Sequence, residues 1–154
     1  MKDICTGADG IFHEAAIASA PCSIKNPLAT NKANINGTLN VLVAAKECGV
    51  SKIVFASLSS VYGDTATVPK REIIESCPLS PYAVTKRACE QYMKVFTSLY
   101  GLKTAALRYF NVFGPRQDPN SDCAAVITKF ITRILNHQSP VIFGMVNRLG
   151  TLPM

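Results

Sequence analysis

The feature of the 154-residue sequence that most constrains its fold is a regular alternation of strand-like and helix-like segments. Lys52–Ser57 is β-branched and nearly all apolar, which is typical of a strand buried on both faces of a parallel sheet. Gly10–His13 and Lys103–Tyr109 are predicted as further strands, and Pro140–Gly144 as a closing strand. Strand–helix–strand units at this spacing predict an α/β protein whose parallel strands are joined by right-handed crossovers.

Three helices are predicted between the strands. The first runs from about Leu28 to Cys48 and is followed by Gly49 at the position where helices commonly end. The second covers Pro81–Tyr100, with Ser80 as N-cap and proline at the first helical position. The third is an amphipathic segment, Ala124–Asn136. At roughly 150 residues per domain, the length predicts one domain.

Composition excludes several classes of protein. The chain is 48% apolar and 17% charged, which is typical of a globular protein and not of a disordered one. Its net charge of +6 is scattered along the sequence, so we expect no nucleic-acid partner. No apolar run reaches the ~18 residues of a membrane span, and the N-terminus has no signal-peptide pattern. We therefore expect a cytoplasmic protein without a membrane partner.

The cysteines and histidines do not form a metal-binding pattern. The six cysteines are far apart and contain no Cys-x-x-Cys pair. Without a secretion signal, we interpret them as reduced thiols. The sequence has two histidines, and neither belongs to a His/Cys/carboxylate cluster with ligand spacing. We expect no metal site.

Several residues that could take part in binding or catalysis follow directly after the predicted strands. Ligands of parallel sheets bind at the carboxyl ends of the strands, and the small residues Ala15–Ala16, the serines after Phe55 and Phe110–Asn111 all fall there. Tyr82 and Lys86 stand four apart at the start of the second helix and share one face. A nearby ammonium favours the phenolate form of a tyrosine, so this pair is a candidate general base. By itself the spacing is also common on solvated helix faces.

Several blocks in a fixed order resemble the extended short-chain dehydrogenase/reductase superfamily. They are Phe12–Ala16, Asn34–Thr38, Phe55–Asp64, Ser80–Lys86 and Leu107–Arg116. More narrowly, they are similar to the NAD-dependent nucleotide-sugar epimerases, and Arg116–Asn120 resembles the UDP-N-acetylhexosamine and UDP-uronic acid 4-epimerases. The resemblance covers about residues 9 to 144. It implies a partial Rossmann-like doubly wound sheet over residues 1–144, NAD as cofactor and a UDP-sugar as substrate.

The resemblance also implies roles for individual residues. Tyr82 would take the proton of the sugar 4-hydroxyl while hydride passes from C4 to the nicotinamide. Lys86 would hold the nicotinamide ribose and tune Tyr82. Ala15 and Ala16 would let the cofactor approach closely, and Asn34 would line its pocket.

Further contacts follow from the same resemblance. Ser57 and Phe110 would touch the cofactor, and Ser59, Asn111 and Arg116 the substrate. Full-length members of the family commonly pair through the two helices Leu28–Cys48 and Pro81–Tyr100, which implies a homodimer.

Two departures from the family pattern bear on activity. The position four before Tyr62, where the family carries a Ser or Thr that hydrogen-bonds the reacting hydroxyl, is Leu58. Losing one such positioned donor lowers rates by about 10²–10³. The nine glycines also contain no G-x-G-x-x-G or G-x-x-G-x-x-G turn to cradle a pyrophosphate. We therefore expect the N-terminal strands of the domain to be absent and the chain to be inactive alone.

The third departure is the tail, residues 145–154, which does not continue the family pattern. Codons can be chosen for this tail so that one added base in front of them shifts the reading frame. The shifted frame then encodes a family-like Asp-Gly-Glu-x-x-Arg-x-Phe-x-Tyr segment. We therefore interpret the tail as divergent, frame-shifted sequence. Two alternatives to a 4-epimerase remain open: a nucleotide-sugar 4,6-dehydratase of the same superfamily, although Leu58-Ser59 is not its acidic pair, and a non-catalytic remnant or partner-binding fragment.

Overall fold

The computed structural model describes residues 1–115, 117–118 and 126–141. These residues belong to two compact units, Met1–Tyr109 and Phe110–Met154. The elements of the first unit are α1 (Lys2–Cys5), β1 (Gly10–His13), α2 (Ala20–Lys25), α3 (Pro27–Asn31), a π-helical segment (Lys32–Asn36), α4 (Gly37–Glu47), β2 (Lys52–Leu58), a 3₁₀ turn (Ser59–Tyr62), α5 (Pro81–Tyr100) and β3 (Lys103–Tyr109). The second unit contributes α6 (Val126–Leu135).

The strands of the first unit form a parallel sheet in the order β1-β2-β3. In its register, Phe55 of β2 lies opposite His13 of β1 and Ala106 of β3. Consecutive parallel strands need a crossover, and the helices between them supply it. The predicted α/β class and the three strands within this unit are confirmed.

The core lies between this sheet and helices α4 and α5. Ile53 and Phe55 of β2 are each 1% exposed, and they belong to one cluster with Leu42 of α4 and Met93 of α5. Because side chains alternate along a strand, both β2 residues face the helices. This packing fixes α5 across the carboxyl half of the sheet.

The opposite face of the sheet is more exposed than the sequence predicted. β2 was predicted to be buried on both faces, yet Val54 on the second face is only half-buried. On the same face, Phe12 of β1 is 79% exposed and Leu107 of β3 is 41% exposed. Helices α4 and α5 pack on the other face, and the second face is partly open in this unit.

Local sequence signals fixed α5 from end to end. The Ser80 hydroxyl accepts a hydrogen bond from the Ala83 amide, Pro81 occupies the first turn, and Gly101 ends the helix with φ 70°. The predicted helix over Leu28–Cys48 is instead α3, the π-helical segment and α4 in succession. The short helices α1 and α2 were not predicted.

The second unit is described in part. The third predicted helix, Ala124–Asn136, is observed as α6 (Val126–Leu135), and Thr128 donates to the Gln117 side chain at 2.7 Å. Most of the predicted strand Pro140–Gly144 and the whole tail 145–154 lie outside the described residues. Of the helices in the described part of the chain, none has the length and apolar character of a membrane span.

Candidate functional site

Helix α5 brings Tyr82 and Lys86 to one side of the sheet. The Lys86 Nζ lies 5.9 Å from the centre of the Tyr82 ring. Tyr82 is half-buried, whereas Lys86 is 3% exposed. The predicted pairing of these two side chains is therefore present, one helical turn apart. Their catalytic roles stay predictions.

The Lys86 ammonium is held inside the protein without an ion-pair partner among the described residues. It donates to the Ala56 carbonyl oxygen at 2.6 Å and stands 4.7 Å from the centre of the Phe55 ring, a cation–π distance. Burial lowers the pKa of Lys86, and the neighbouring ionisable groups of Cys89 and Glu14 act in the opposite direction. An ammonium has three N–H donors, and Ala56 is its one hydrogen-bond acceptor in the described part of the chain.

Asn34 lies in the π-helical segment, which is a feature often found at functional sites. Its side chain accepts from the Ile17 amide at 2.8 Å and donates to the Ile17 oxygen at 3.3 Å and to Thr85 Oγ1 at 3.0 Å. Asn34 is 2% exposed, so its amide group is fully used inside the protein. It fastens α5 to the loop that carries Ala15 and Ala16, and the contact with a cofactor stays a prediction.

Leu58 lies at the end of β2, at the position where the family pattern has a Ser or Thr. Leu58 is the last residue of the strand, half-buried, and offers no hydrogen-bond donor. Ser57, on the other face, is 4% exposed and donates its hydroxyl to Glu90 Oε1 at 2.6 Å. The Ser57 hydroxyl proton is therefore committed to Glu90, and the cofactor contact of Ser57 stays a prediction. Ser59 begins the 3₁₀ turn and is half-buried. Neither serine occupies the position of Leu58.

A buried charged network beside the site was missed from the sequence. Glu90 is 4% exposed and accepts from Ser57, from Arg108 Nε and Nη2 at 2.9 and 2.8 Å, and from Arg87 Nη1 at 3.0 Å. Burial alone would raise the pKa of Glu90, but these hydrogen bonds outweigh it and hold the pKa below its ordinary value. The Arg108 guanidinium also lies 4.7 Å from the Tyr62 ring. The network joins α5, β2, β3 and the 3₁₀ turn.

One signal in the sequence pointed to this network. Glu90 stands four residues after Lys86, on the same face of α5 as Met93 and Phe96, which are core residues. A carboxylate on the buried face of an amphipathic helix requires a partner.

His13 is a second residue that sequence reasoning missed. It is 7% exposed, its Nε2 lies 2.9 Å from Thr38 Oγ1, and its ring packs 5.6 Å from the ring of Phe55. Burial, followed by the positive charge of Lys86, lowers the pKa of His13. Neutral His13 therefore lies against the same Phe55 ring as the Lys86 ammonium.

Three predicted contacts belong to the second unit. Phe110 is 37% exposed, Asn111 is exposed, and Arg116 lies outside the described residues. Their predicted roles as cofactor and substrate contacts stay predictions. Within the described ranges, no group of three or more His, Cys, Asp or Glu side chains is placed to hold a metal ion.

Comparison with known proteins identifies the family. The sequence profile of the NAD dependent epimerase/dehydratase family matches residues 1–149. A putative UDP-glucose 4-epimerase of Methanocaldococcus jannaschii is 42% identical over 139 residues, which are 90% of this chain and 45% of the relative. The chain thus spans less than half the length of the curated relatives it matches.

Solved structures agree with the sequence comparison. The UDP-N-acetylglucosamine 4-epimerase of Methanobrevibacter ruminantium, in complex with UDP-N-acetylmuramic acid, superposes with a TM-score of 0.89 at 49% identity, covering 94% of this chain and 46% of that one. The UDP-glucose 4-epimerase of Thermus thermophilus, in complex with NAD, gives a TM-score of 0.78 at 39% identity, covering 85% and 42%. The predicted Rossmann-like fold and NAD-dependent family are confirmed: the chain belongs to the NAD dependent epimerase/dehydratase family.

Proposed function

We propose that this chain carries the nicotinamide side of the active site of a UDP-sugar 4-epimerase that uses NAD. The substrate class is UDP-N-acetylglucosamine and UDP-N-acetylgalactosamine, or a UDP-uronic acid. The observation that carries the proposal is the buried Lys86 ammonium, bonded to the Ala56 oxygen and one turn from Tyr82. The similarity to 4-epimerases of UDP-sugars supports it.

The residues present fit the nicotinamide half of the cofactor. Among the described residues, Ala56 accepts from one of the three N–H donors of Lys86, and a ribose diol supplies acceptors for the others. Ala15 and Ala16 present small side chains beside the carboxyl end of β1. When bound, NAD would supply first the acceptor and then the donor for the C4 hydride.

The chain's own residues handle the proton. Tyr82 Oη takes the proton of the C4 hydroxyl as the C4 hydride leaves, so that the sugar becomes a 4-keto species. After the sugar turns in its pocket, Tyr82 returns the proton as hydride re-enters on the opposite face. Lys86 favours the phenolate of Tyr82 electrostatically, because its ammonium is removed from water and so is weakly screened.

Leu58 is the weak point of this machinery. A Ser or Thr at this position would donate to the reacting hydroxyl, and the leucine side chain cannot. The expected deficit is about 10²–10³ in rate, the loss measured when a positioned donor is removed from an active site.

The test is a hybrid enzyme. Residues 1–144 replace the matching segment of the Methanobrevibacter ruminantium epimerase, to which the chain is 49% identical. The hybrid with Leu58→Ser should interconvert UDP-N-acetylglucosamine and UDP-N-acetylgalactosamine, and the hybrid with Leu58 should be slower by the factor above. Equal rates would show that Leu58 is not the position of the missing donor. No turnover by either, in a folded hybrid, would contradict the proposed reaction.

We further propose that the 154 residues alone neither bind NAD tightly nor turn over substrate. Tight NAD binding uses a glycine-rich turn for the pyrophosphate, and the sequence contains no such motif. Calorimetric titration of the purified chain with NAD should show no saturable tight binding. Tight, stoichiometric binding would overturn this part of the proposal.

A homodimer through α5 is the remaining proposal. A second apolar stripe runs along the helix on the side opposite the core; it consists of Val84, Tyr92, Val95 and Leu99, which are 36% to 67% exposed. Successive members are eight, three and four residues apart, which places these side chains on one face of the helix. An exposed apolar stripe of this kind is typical of an association surface.

Sedimentation analysis tests the dimer. Val95→Glu should shift the chain from dimer to monomer, because it places a charge in the centre of the stripe. Ile73→Glu is the matched control, since Ile73 is 88% exposed and lies outside α5. A monomeric wild-type chain, or a dimer unaffected by Val95→Glu, would contradict this interface.

A further inference from the structure

The first turn of α5 satisfies its backbone N–H groups in an unusual way. Helices leave their first N–H groups without intrahelical partners. Here Pro81 has no N–H, the Ala83 amide donates to the Ser80 hydroxyl at 3.2 Å, and the Val84 amide donates to the Ser80 carbonyl. The remaining group is the amide of Tyr82, and it donates to the Ser23 hydroxyl at 3.0 Å.

Ser23 is built into the protein as a fixed acceptor. It lies in α2, 59 residues before Tyr82, and it is 0% exposed. Its own hydroxyl proton is donated to the Ala20 oxygen at 2.7 Å. With that proton committed, the Ser23 oxygen presents a lone pair to the Tyr82 amide, and no water has access to replace it.

This contact bears on the geometry of the acid–base pair. Catalytic side chains need to be held within about 0.5 Å of their productive positions by supporting contacts. Ser80, the residue just before α5, caps the helix through the Ala83 amide, whereas Ser23 accepts directly from the backbone amide of Tyr82. Because α2 follows the loop of Ala15 and Ala16, the same contact ties the tyrosine to the segment predicted to lie against the cofactor.

We propose that Ser23 is a positioning residue that fixes the backbone, and through it the phenol, of Tyr82. This inference rests on the proposed role of Tyr82 as the base. Ser80, which caps the same helix end through the Ala83 amide, supplies the matched control.

The hydrogen bond is tested first, in the 154-residue chain by amide hydrogen exchange. In the wild-type chain the Tyr82 amide should be protected, although amides of a first helical turn ordinarily exchange freely. Ser23→Ala should accelerate exchange at Tyr82 about tenfold beyond any change shared by the rest of α5. An unprotected Tyr82 amide in the wild-type chain would overturn the inference even if Ser23→Ala fails to fold.

The positioning role is tested by the pH titration of the Tyr82 phenol, followed by NMR of ring-labelled tyrosine and assigned with Tyr82→Phe. Ser23→Ala should move the titration midpoint of Tyr82, and Ser80→Ala should leave it near the wild-type value at a comparable loss of stability. Equal midpoints in Ser23→Ala and wild type would reduce Ser23 to a structural cap and refute the proposal.

The proposed acid–base pair of Tyr82 and Lys86 has a separate test. Lys86→Met should raise the Tyr82 titration midpoint, because it removes the adjacent positive charge. A midpoint unchanged by Lys86→Met contradicts the proposed function, whatever Ser23→Ala does to the Tyr82 amide.

Discussion

Replacing the buried carboxylate Glu90 by an amide should destabilise the protein strongly. Glu90→Gln keeps the shape of the side chain but removes its charge. Each carboxylate oxygen of Glu90 accepts two hydrogen bonds, and at least one of the two donors is an arginine guanidinium nitrogen. Whichever way round the amide sits, its NH₂ group therefore meets an arginine N–H. The cost of removing one partner of a buried ion pair is about 3–5 kcal/mol.

Urea unfolding followed by circular dichroism measures this loss. With an m value of about 2 kcal/mol/M, the midpoint should fall by about 2 M. Glu47→Gln is the control, because its ion pair with Lys2 at 2.9 Å is exposed and should matter little. A midpoint for Glu90→Gln no lower than that of Glu47→Gln would refute the reasoning.

The same network should make the stability of the folded protein fall at acid pH. Hydrogen bonds outweigh burial and lower the pKa of Glu90 in the folded state, so the folded protein holds the charged form more strongly than the unfolded chain does. This stabilisation is fully present above the unfolded value, near 4.5, and is lost as the pH falls through the lower folded value. Glu90→Gln should remove that part of the decline in stability below pH 4.5. An unchanged acid slope would show that other groups cause it.

Two further predictions concern neighbouring residues. Since burial and the positive charge of Lys86 lower the pKa of His13, its contribution to stability should be complete above pH 6.5 and lost as the pH falls below it. His13→Gln should therefore flatten the pH dependence of the unfolding free energy in that range, and an unchanged slope would contradict this. Gly63→Ala should cost about 1–3 kcal/mol more than Gly49→Ala, measured by thermal unfolding. Both glycines have positive φ, but only at Gly63 would a Cβ approach a backbone oxygen, that of Cys77, at 2.0 Å; equal losses would contradict this.

The parts of the fold that sequence predicted well are those coded locally. Helix α5 was located from its first to its last residue because Ser80, Pro81 and Gly101 are themselves the start and stop signals. The strand Lys103–Tyr109 was likewise found from its run of residues. The pairing of Tyr82 with Lys86 followed from helical geometry alone.

What sequence could not provide depends on contacts between distant residues. The π-helical turn at Asn34 has the same local sequence signals as an α-helix, and it is accompanied by side-chain bonds to Ile17 and Thr85. Ser23 reads as an ordinary helix residue until its contact with Tyr82 is seen. The half-open second face of the sheet also depends on what packs there, which the alternation of strands and helices does not specify.

The proposed epimerisation depends on Tyr82 as the base that takes the proton of the C4 hydroxyl. The most direct measurement is the rate of UDP-N-acetylglucosamine epimerisation by the Leu58→Ser hybrid, with and without Tyr82→Phe. The matched control is Tyr100→Phe, at the far end of the same helix. Tyr82→Phe should lower the rate by about 10²–10⁴, the contribution of a general base, and Tyr100→Phe should leave it unchanged. A Tyr82→Phe hybrid that turns over as fast as the Tyr100→Phe hybrid would show that Tyr82 is not the base.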